Sequence, residues 1–314
     1  MKVLVTGGAG FIGSNLVDRL IANGYPVVVV DNLSTGFKKF INPKATFYNV
    51  DIRDIQKIQK IFDKEKPEVV HHLAAQMDVR VSTRRPIFDA TCNIIGSINI
   101  ILSSLHSKTK KIIYANKGGA LYGEVDPRYL PISETYPINP ISQYGISKHT
   151  VEHYLFLYNY LYKLDYISLR YPNVYGPRQN PNGEAGVIAI FTGKMLNGQR
   201  PTIYGNGKQT RDYVYVKDIV DANIIAQESN KNGCYNIGTG KETSVLKIFE
   251  TLKKETNFDK EPIFDKPRAG EIYRICLNPL KIKRELGWEA KHNIEQGIKK
   301  TIEYYKNAKS NIFR

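Results

Sequence analysis

Short, fully apolar runs alternate with stretches of helical spacing through the first 170 or so residues. Val3-Leu4-Val5 opens the series, and Asn15 to Ala22 carries Leu16, Leu20 and Ile21 at helical intervals before stopping at Gly24. Val27 to Val30 is apolar throughout, as expected of a strand buried on both faces of a parallel sheet. The rhythm continues with a strand at Thr46 to Val50, a helix at Ile55 to Phe62, a strand at Glu68 to His72, a helix at Asn93 to Leu105 and a strand at Lys111 to Ala115. A helix from Tyr144 to Leu161 and a strand from Tyr166 to Arg170 complete it. Strict strand–helix alternation predicts an α/β fold with a doubly wound parallel sheet.

After Arg170 the alternation breaks. Pro and Gly crowd positions 172 to 186, a helix follows at Val187 to Leu196, then a turn-rich stretch from Pro201 to Gly207 and a mixed, mostly helical tail ending near Tyr305. The expected organisation is a dinucleotide-binding domain over 1–171, with 213–240 crossing back into it, and a smaller mixed α/β lobe made of 172–212 and 241–314. No internal repeat or low-complexity tract is present.

Composition changes this picture little. The hydrophobic share of 42 % is ordinary for a globular chain of 314 residues. No apolar run approaches the ~18 residues that span a bilayer. The opening strand runs straight into glycines, so no secretory leader is expected. Cys92, Cys234 and Cys276 are scattered, which suits a reducing cytoplasm and offers neither a disulfide framework nor metal spacing. The six His give no metal pattern either. The net charge of +15 comes from Lys spread along the chain, a solvated surface rather than a nucleic-acid footprint. Such a field would still draw an anionic ligand to a cleft.

The chemistry begins at Thr6-Gly7-Gly8-Ala9-Gly10-Phe11-Ile12-Gly13. Gly7, Gly10 and Gly13 fall between a strand and a helix, where small residues admit a pyrophosphate and the helix N-terminus supplies amides and positive dipole. This is a Rossmann-type dinucleotide loop. Asp31 ends the second strand, placed to accept both adenosine-ribose hydroxyls. No Arg follows directly in Asn32-Leu33-Ser34-Thr35-Gly36, which favours NAD over NADP. Asp51-Ile52 follows the third strand, where Asp51 either touches adenine or caps the next helix. About 140 residues downstream of the loop stands Tyr144-Gly145-Ile146-Ser147-Lys148. Residues four apart share a helix face. An ammonium beside the phenol would lower its pKa towards neutrality and let it take a proton from a hydroxyl.

With these segments the chain resembles the extended short-chain dehydrogenase/reductase family and, within it, the UDP-glucose 4-epimerase branch. The matches run nearly end to end: Asp31-Asn32-Leu33, His72-Leu73-Ala74-Ala75, Asn93-Ile94-Ile95-Gly96, Gly119 to Gly123, Arg170 to Arg178, Arg211-Asp212-Tyr213, Asn236 to Gly240 and Gly287-Trp288. The resemblance implies an isomerase in which bound NAD takes a hydride from sugar C4 and returns it to the other face. Tyr144 would be the base, and Lys148 would hold the nicotinamide ribose and tune it. Around the dinucleotide the resemblance adds Phe11, Ile12, Ser34, Thr35, Gly36, Leu73, Ala74, Ala75, Gln76, Asn93 and Tyr171. For the UDP-sugar it implies Asn173 near the phosphates, Arg211 and Arg268 clamping the diphosphate, Glu271 on the uridine ribose and Tyr204 by the uracil. Gly186-Val187 would offer backbone contacts. Gln76 and Ser82 would line the sugar side, with Met77 either there or in the core. The partners implied are a UDP-sugar and a second copy of the chain, with helices 88–105 and 144–161 forming a four-helix seam. Leu155, Leu157 and Leu161 belong either to that seam or to the core.

One position departs from the family pattern. Where a Ser-Ser or Ser-Thr pair relays the proton between sugar O4 and Tyr, this chain reads Asn116-Lys117. A Lys ammonium has no acceptor and cannot relay as a hydroxyl does. Lys117 either cripples turnover while sparing binding, substitutes as a neutral amine on O4, or points away. A second ammonium near Lys148 would also make one of the two lose its proton more easily. Gly118-Gly119 stands where dehydratases and decarboxylating relatives carry acids, so those reactions are excluded. GDP-sugar epimerase-reductases need a Cys and His pair that is not evident here. The expected reaction is 4-epimerisation of UDP-glucose and UDP-galactose. N-acetylated or uronic UDP-sugars, or a UDP-sugar-binding protein of crippled activity, are the alternatives.

Overall fold

A computed structural model describes residues 1–182, 186–268 and 270–307. The first six strands are β1 (Val3–Thr6), β2 (Val27–Val30), β3 (Thr46–Tyr48), β4 (Val69–His72), β5 (Lys111–Lys117) and β6 (Asp165–Tyr171). β7 (Asn173–Tyr175) pairs with β10 (Tyr213–Tyr215), β8 (Thr202–Tyr204) with β13 (Ile263–Asp265), and β9 (Thr210–Arg211) with β12 (Thr243–Ser244). β11 (Gly233–Asn236) returns to the main sheet beside β6. The sheet is parallel, in the order β11-β6-β5-β4-β1-β2-β3. Strand order therefore reverses between β1 and β4, which is where open α/β sheets bind ligands beyond their carboxyl ends.

The apolar runs explain the layering. β1 and β2 are buried along their whole length because helices cover both faces. On one face, α2 (Ile55–Glu65), α5 (Gly96–His106) and α7 (Gln143–Tyr162) enclose Ile58, Phe62, Ile100, Ile101, Val151 and Leu155. On the other, α1 (Phe11–Ala22) and α9 (Val216–Glu228) pack through Leu16, Val17, Leu20, Val220 and Ile224. A further cluster holds α8 (Val187–Leu196), α10 (Val245–Thr256) and α12 (Ile294–Asn307) together through Phe191, Phe249, Leu252 and Ile298. Phe11 and Ile12 of α1 pack against it.

The doubly wound sheet is the one expected from the alternation, and α8 spans the residues read from the sequence. α1 begins four residues earlier than its apolar spacing suggests, because Gly13 and Ser14 occupy its buried face. The helix expected from Asn93 starts much earlier. α3 (Val79–Arg84) leads into α4 (Pro86–Ala90), which continues through a turn of π-helix, Thr91–Ile95, into α5. The run Pro86–His106 corrects one expectation: by length and composition alone it is apolar enough to cross a membrane. Half of it is buried in the protein, with Asp89, Asn93 and Ser97 among its inward residues.

Candidate active site

The end of β1 makes the tightest part of the site. Gly7 has φ of 72°, and a Cβ there would sit 2.8 Å from the Ala74 amide nitrogen. A Cβ on Gly13 would come to 2.1 Å from the Gly7 carbonyl oxygen. Leu73 and Ala74 donate their amides to Thr6 Oγ1, both at 3.2 Å, locking the β4 loop against the glycine turn. Gly10 caps α1 without any side-chain hydrogen bond, so the first-turn amides face outward for an anion. Gly36 closes over Ala9, and Phe37 donates to the Ala9 carbonyl at 3.0 Å, bringing Ser34 and Thr35 beside the same loop.

Asp31 accepts from the Ala9 amide at 3.0 Å through one oxygen and from the Leu33 amide at 2.8 Å through the other. Each oxygen keeps a lone pair for a ribose hydroxyl. Burial pushes this carboxyl up, and the two amides oppose it. Asp51 does not cap α2; Asp54 does, accepting from the Lys57 amide at 3.1 Å. Asp51 is instead held by Arg53, at 2.9 and 2.8 Å, and by Asn32 at 2.8 Å, and the Arg53 fork brings its pKa down to about 2. Ile52 is a core residue packed on Gly96.

The structure also places other residues expected at the site. Asn93 and Gln76 do meet, but their side chains engage each other's segment and Asp89. The Tyr171 ring lies in the core and its hydroxyl accepts from Asn223 at 2.7 Å. Ser82 is fully buried and its hydroxyl donates to Val79 O at 2.7 Å, so it does not line the sugar side. Met77 is 51 % exposed, which removes it from the core.

Tyr144 and Lys148 are both buried on the first turns of α7, whose N-cap Ser142 accepts from the Gly145 amide at 3.1 Å. Gly145 is required there, because a Cβ would meet the Ala120 carbonyl oxygen at 2.3 Å. The expected lowering of the phenol is not what the geometry gives. Burial pushes Tyr144 above its ordinary value and draws Lys148 down to about 7. The ammonium lies 4.1 Å from the Tyr114 ring centroid. His72 below it is a satisfied neutral imidazole between Thr6 and Ser97, held near 3 by burial and then by Lys148.

The second half of the site comes from two distant stretches of chain. Tyr204, Gly205, Gln209, Arg268, Glu271 and Tyr273 line a cavity of about 140 Å³. The Arg268 guanidinium stacks on Tyr204, 3.9 Å from the ring centroid. Arg211 approaches Glu271 at 3.3 Å and donates to the Thr210 carbonyl at 2.8 Å. Gly186 and Val187 stand at the start of α8. Arg211, Arg268, Glu271 and Tyr204, all expected from the sequence on the substrate side, thus form one cluster.

A family model described as the NAD dependent epimerase/dehydratase family matches residues 3–238. The chain belongs to that family. Within it, the chain is 52 % identical over 305 residues to a putative UDP-glucose 4-epimerase of Methanocaldococcus jannaschii, covering 97 % of this chain and 98 % of that protein. The structure of a UDP-glucose 4-epimerase from Thermotoga maritima with UDP-glucose superposes with a TM-score of 0.96 at 49 % identity. It covers 98 % of this chain and 99 % of that one. A UDP-glucose 4-epimerase from Thermus thermophilus, in complex with NAD, gives 0.93 at 40 % identity, covering 98 % and 100 %. The glycine cradle, the open α1 N-terminus and the Asp31 carboxylate fit the dinucleotide cofactor of this epimerase family.

Lys117, the departure from the family pattern, has a defined place. Its Nζ donates to the Pro172 carbonyl at 2.6 Å and to Asn173 Oδ1 at 2.9 Å. Burial, then Arg211, draw the amine down to about 7, and Asp212 opposes them. Lys148 is not among the charges acting on it, so the expected repulsion between the two ammoniums is replaced by one with Arg211. Asn116 is buried, accepts from the Lys117 amide at 2.7 Å and donates to Lys148 O at 3.4 Å, joining β5 to α7.

Proposed function

We propose that the chain interconverts UDP-glucose and UDP-galactose by inverting C4 of the hexose. The observation that carries this reading is the joining of two half-sites. β5 ends on Lys148 through Asn116 and on Asn173 through Lys117, and Asn173 donates its amide to Asp212 O at 2.9 Å, next to Arg211 of the cavity cluster. NAD held in the cradle would supply a hydride acceptor and donor for C4, and positive charge that favours the Tyr144 phenolate. Tyr144 takes the proton from O4 and later returns it. Arg211 and Arg268 hold the diphosphate through planar, charge-assisted hydrogen bonds, while Tyr204 and Glu271 fix the uridine. Anchoring only the nucleotide end leaves the hexose free to present either face.

Lys117 bonds to Pro172 and Asn173, which supports the reading that it is turned from O4 and that Tyr144 works without a hydroxyl relay. Turnover is then reduced rather than abolished. The expected partner is a second copy of the chain. Ile146, Phe156, Leu157, Tyr160 and Leu161 of α7, with Ile87, Ile95 and Leu102 of the preceding helix, leave an exposed apolar face that suits such a seam, whereas Leu155 is core.

The test is incubation of the purified, cofactor-loaded protein with UDP-glucose, UDP-galactose and their N-acetyl forms, followed by product separation. Each hexose is expected to yield a mixture of both. Retained UDP-sugar with no interconversion and no NADH absorbance would overturn the reading in favour of a binding protein.

A further inference from the structure

Asp89 of α4 has 0 % exposure and lies outside every role assigned above. Its Oδ1 accepts from Gln76 Nε2 and from Asn93 Nδ2, both at 3.0 Å, and its Oδ2 accepts from Ser147 Oγ at 2.7 Å. All three donors are neutral, and among the described residues the carboxylate forms no ion pair. A buried ionised carboxylate satisfied only by neutral groups is costly, and an Asn of the same shape would avoid that cost. Its negative charge therefore calls for a use. Ser147 supplies the location, because it lies between Tyr144 and Lys148 on the turn of α7 that carries both.

We propose that Asp89 is a positioning residue of the reaction: its buried carboxylate orients that turn through Ser147 and supplies a fixed negative charge beside the Tyr144–Lys148 pair. This rests on the reading that Tyr144 and Lys148 carry the proton chemistry. Burial lowers Lys148 most, and Glu152 and then Asp89 oppose it; on Tyr144, Asp89 adds to the burial that raises it. Keeping an ammonium protonated next to a positively charged pyridinium needs such a counter-charge. The other groups facing the pair are few. Glu152 lies one turn along α7 and is engaged by Arg170 at 2.8 Å; His72 on β4 is neutral; Tyr114 on β5 is pushed well up by burial. Arg53 and Arg85 lie against the Phe88 ring on α4 itself. Asp89 also joins two segments read from the sequence as cofactor contacts, so the charge and the cradle are built together.

Asp89→Asn and Asp89→Ser remove the charge, and either one that retains cofactor suffices for the comparison. With the charge gone, both Lys148 and Tyr144 titrate lower. The whole pH profile of kcat should then move to lower pH, on the order of half a unit, besides losing height. Ser147→Ala keeps the charge and should lose height without moving. The Lys148 side chain, followed by NMR with ¹³C-labelled lysine and assigned through Lys148→Met, should titrate lower in the neutral variants. That measurement needs no turnover, so it separates failure of this inference from failure of the substrate assignment. Coincident titrations in wild type and neutral variants would overturn it, as would a Ser147→Ala profile that moves as far as theirs.

Discussion

At the end of β1 the site is made of backbone, and between Tyr204 and Tyr273 it is made of side chains. The cradle depends on atoms that are missing: Gly7 and Gly13 leave no space for a Cβ, and the α1 amides are open because Gly10 has no side chain to close them. The cavity of the second half depends on atoms that are present, with Arg268 laid on Tyr204 and Arg211 set against Glu271. A cradle of the first kind tolerates almost no substitution. A cavity of the second kind can be changed one contact at a time, and substrate preference should vary there.

Substitutions at each end should separate the two. Gly13→Ala, whose methyl has nowhere to go, should cost about 3 kcal/mol or more of stability and abolish retention of NAD, read by thermal unfolding and by cofactor content after purification. Arg211→Ala should leave the fold and bound NAD intact while raising KM for UDP-galactose by roughly 10–100-fold, with a smaller change in kcat. Equal losses of cofactor in both variants would erase the distinction. At the junction of the two halves, Lys117→Thr should raise kcat by roughly tenfold, because a hydroxyl can relay a proton where an ammonium cannot. An unchanged or lower kcat would show that Lys117 does not limit turnover.

A pH effect concerns the sheet beneath the cradle. Burial lowers His71 to about 4 and His72 to about 3, from 6.5. Because the folded values are depressed, the unfolded chain takes up protons first. Stability is fully present above pH 6.5 and falls as the pH drops through about 4 towards 3. Unfolding midpoints measured from pH 7 to 4 should decline over that window, and less steeply in a His71→Gln variant.

The same contrast governs what could be read from the sequence. The cradle was legible because strand, glycine spacing and helix are contiguous, and α8 was legible because nothing interrupts its pattern. α1 was read short because Gly13 and Ser14 are buried without looking apolar. The residues of the second cluster are reached only through resemblance, since Tyr204 and Arg268 become neighbours only when β8 pairs with β13. The cap of α2 is Asp54 rather than Asp51, the same residue type three positions away; the Lys57 amide on one and the Arg53 fork on the other separate them, and neither shows in the sequence. Asp89 carried no local signal at all, because its partners stand 13, 4 and 58 residues away. The expected lowering of the Tyr144 phenol is outweighed by burial, because spacing reports proximity and says nothing about dehydration.

The embrace of Arg211 by Glu271, and of Arg268 by the Tyr204 face, has a consequence for selectivity. Arg211, already paired with Glu271 and two backbone carbonyls, offers little to a stray inorganic anion, which must displace the carboxylate with nothing further to contribute. A molecule bearing a stackable base, a ribose and two linked phosphates can engage Tyr204, Glu271 and both guanidiniums in a single event. The cavity thus rewards completeness, and fragments such as free phosphate or hexose 1-phosphate should compete poorly with the intact nucleotide.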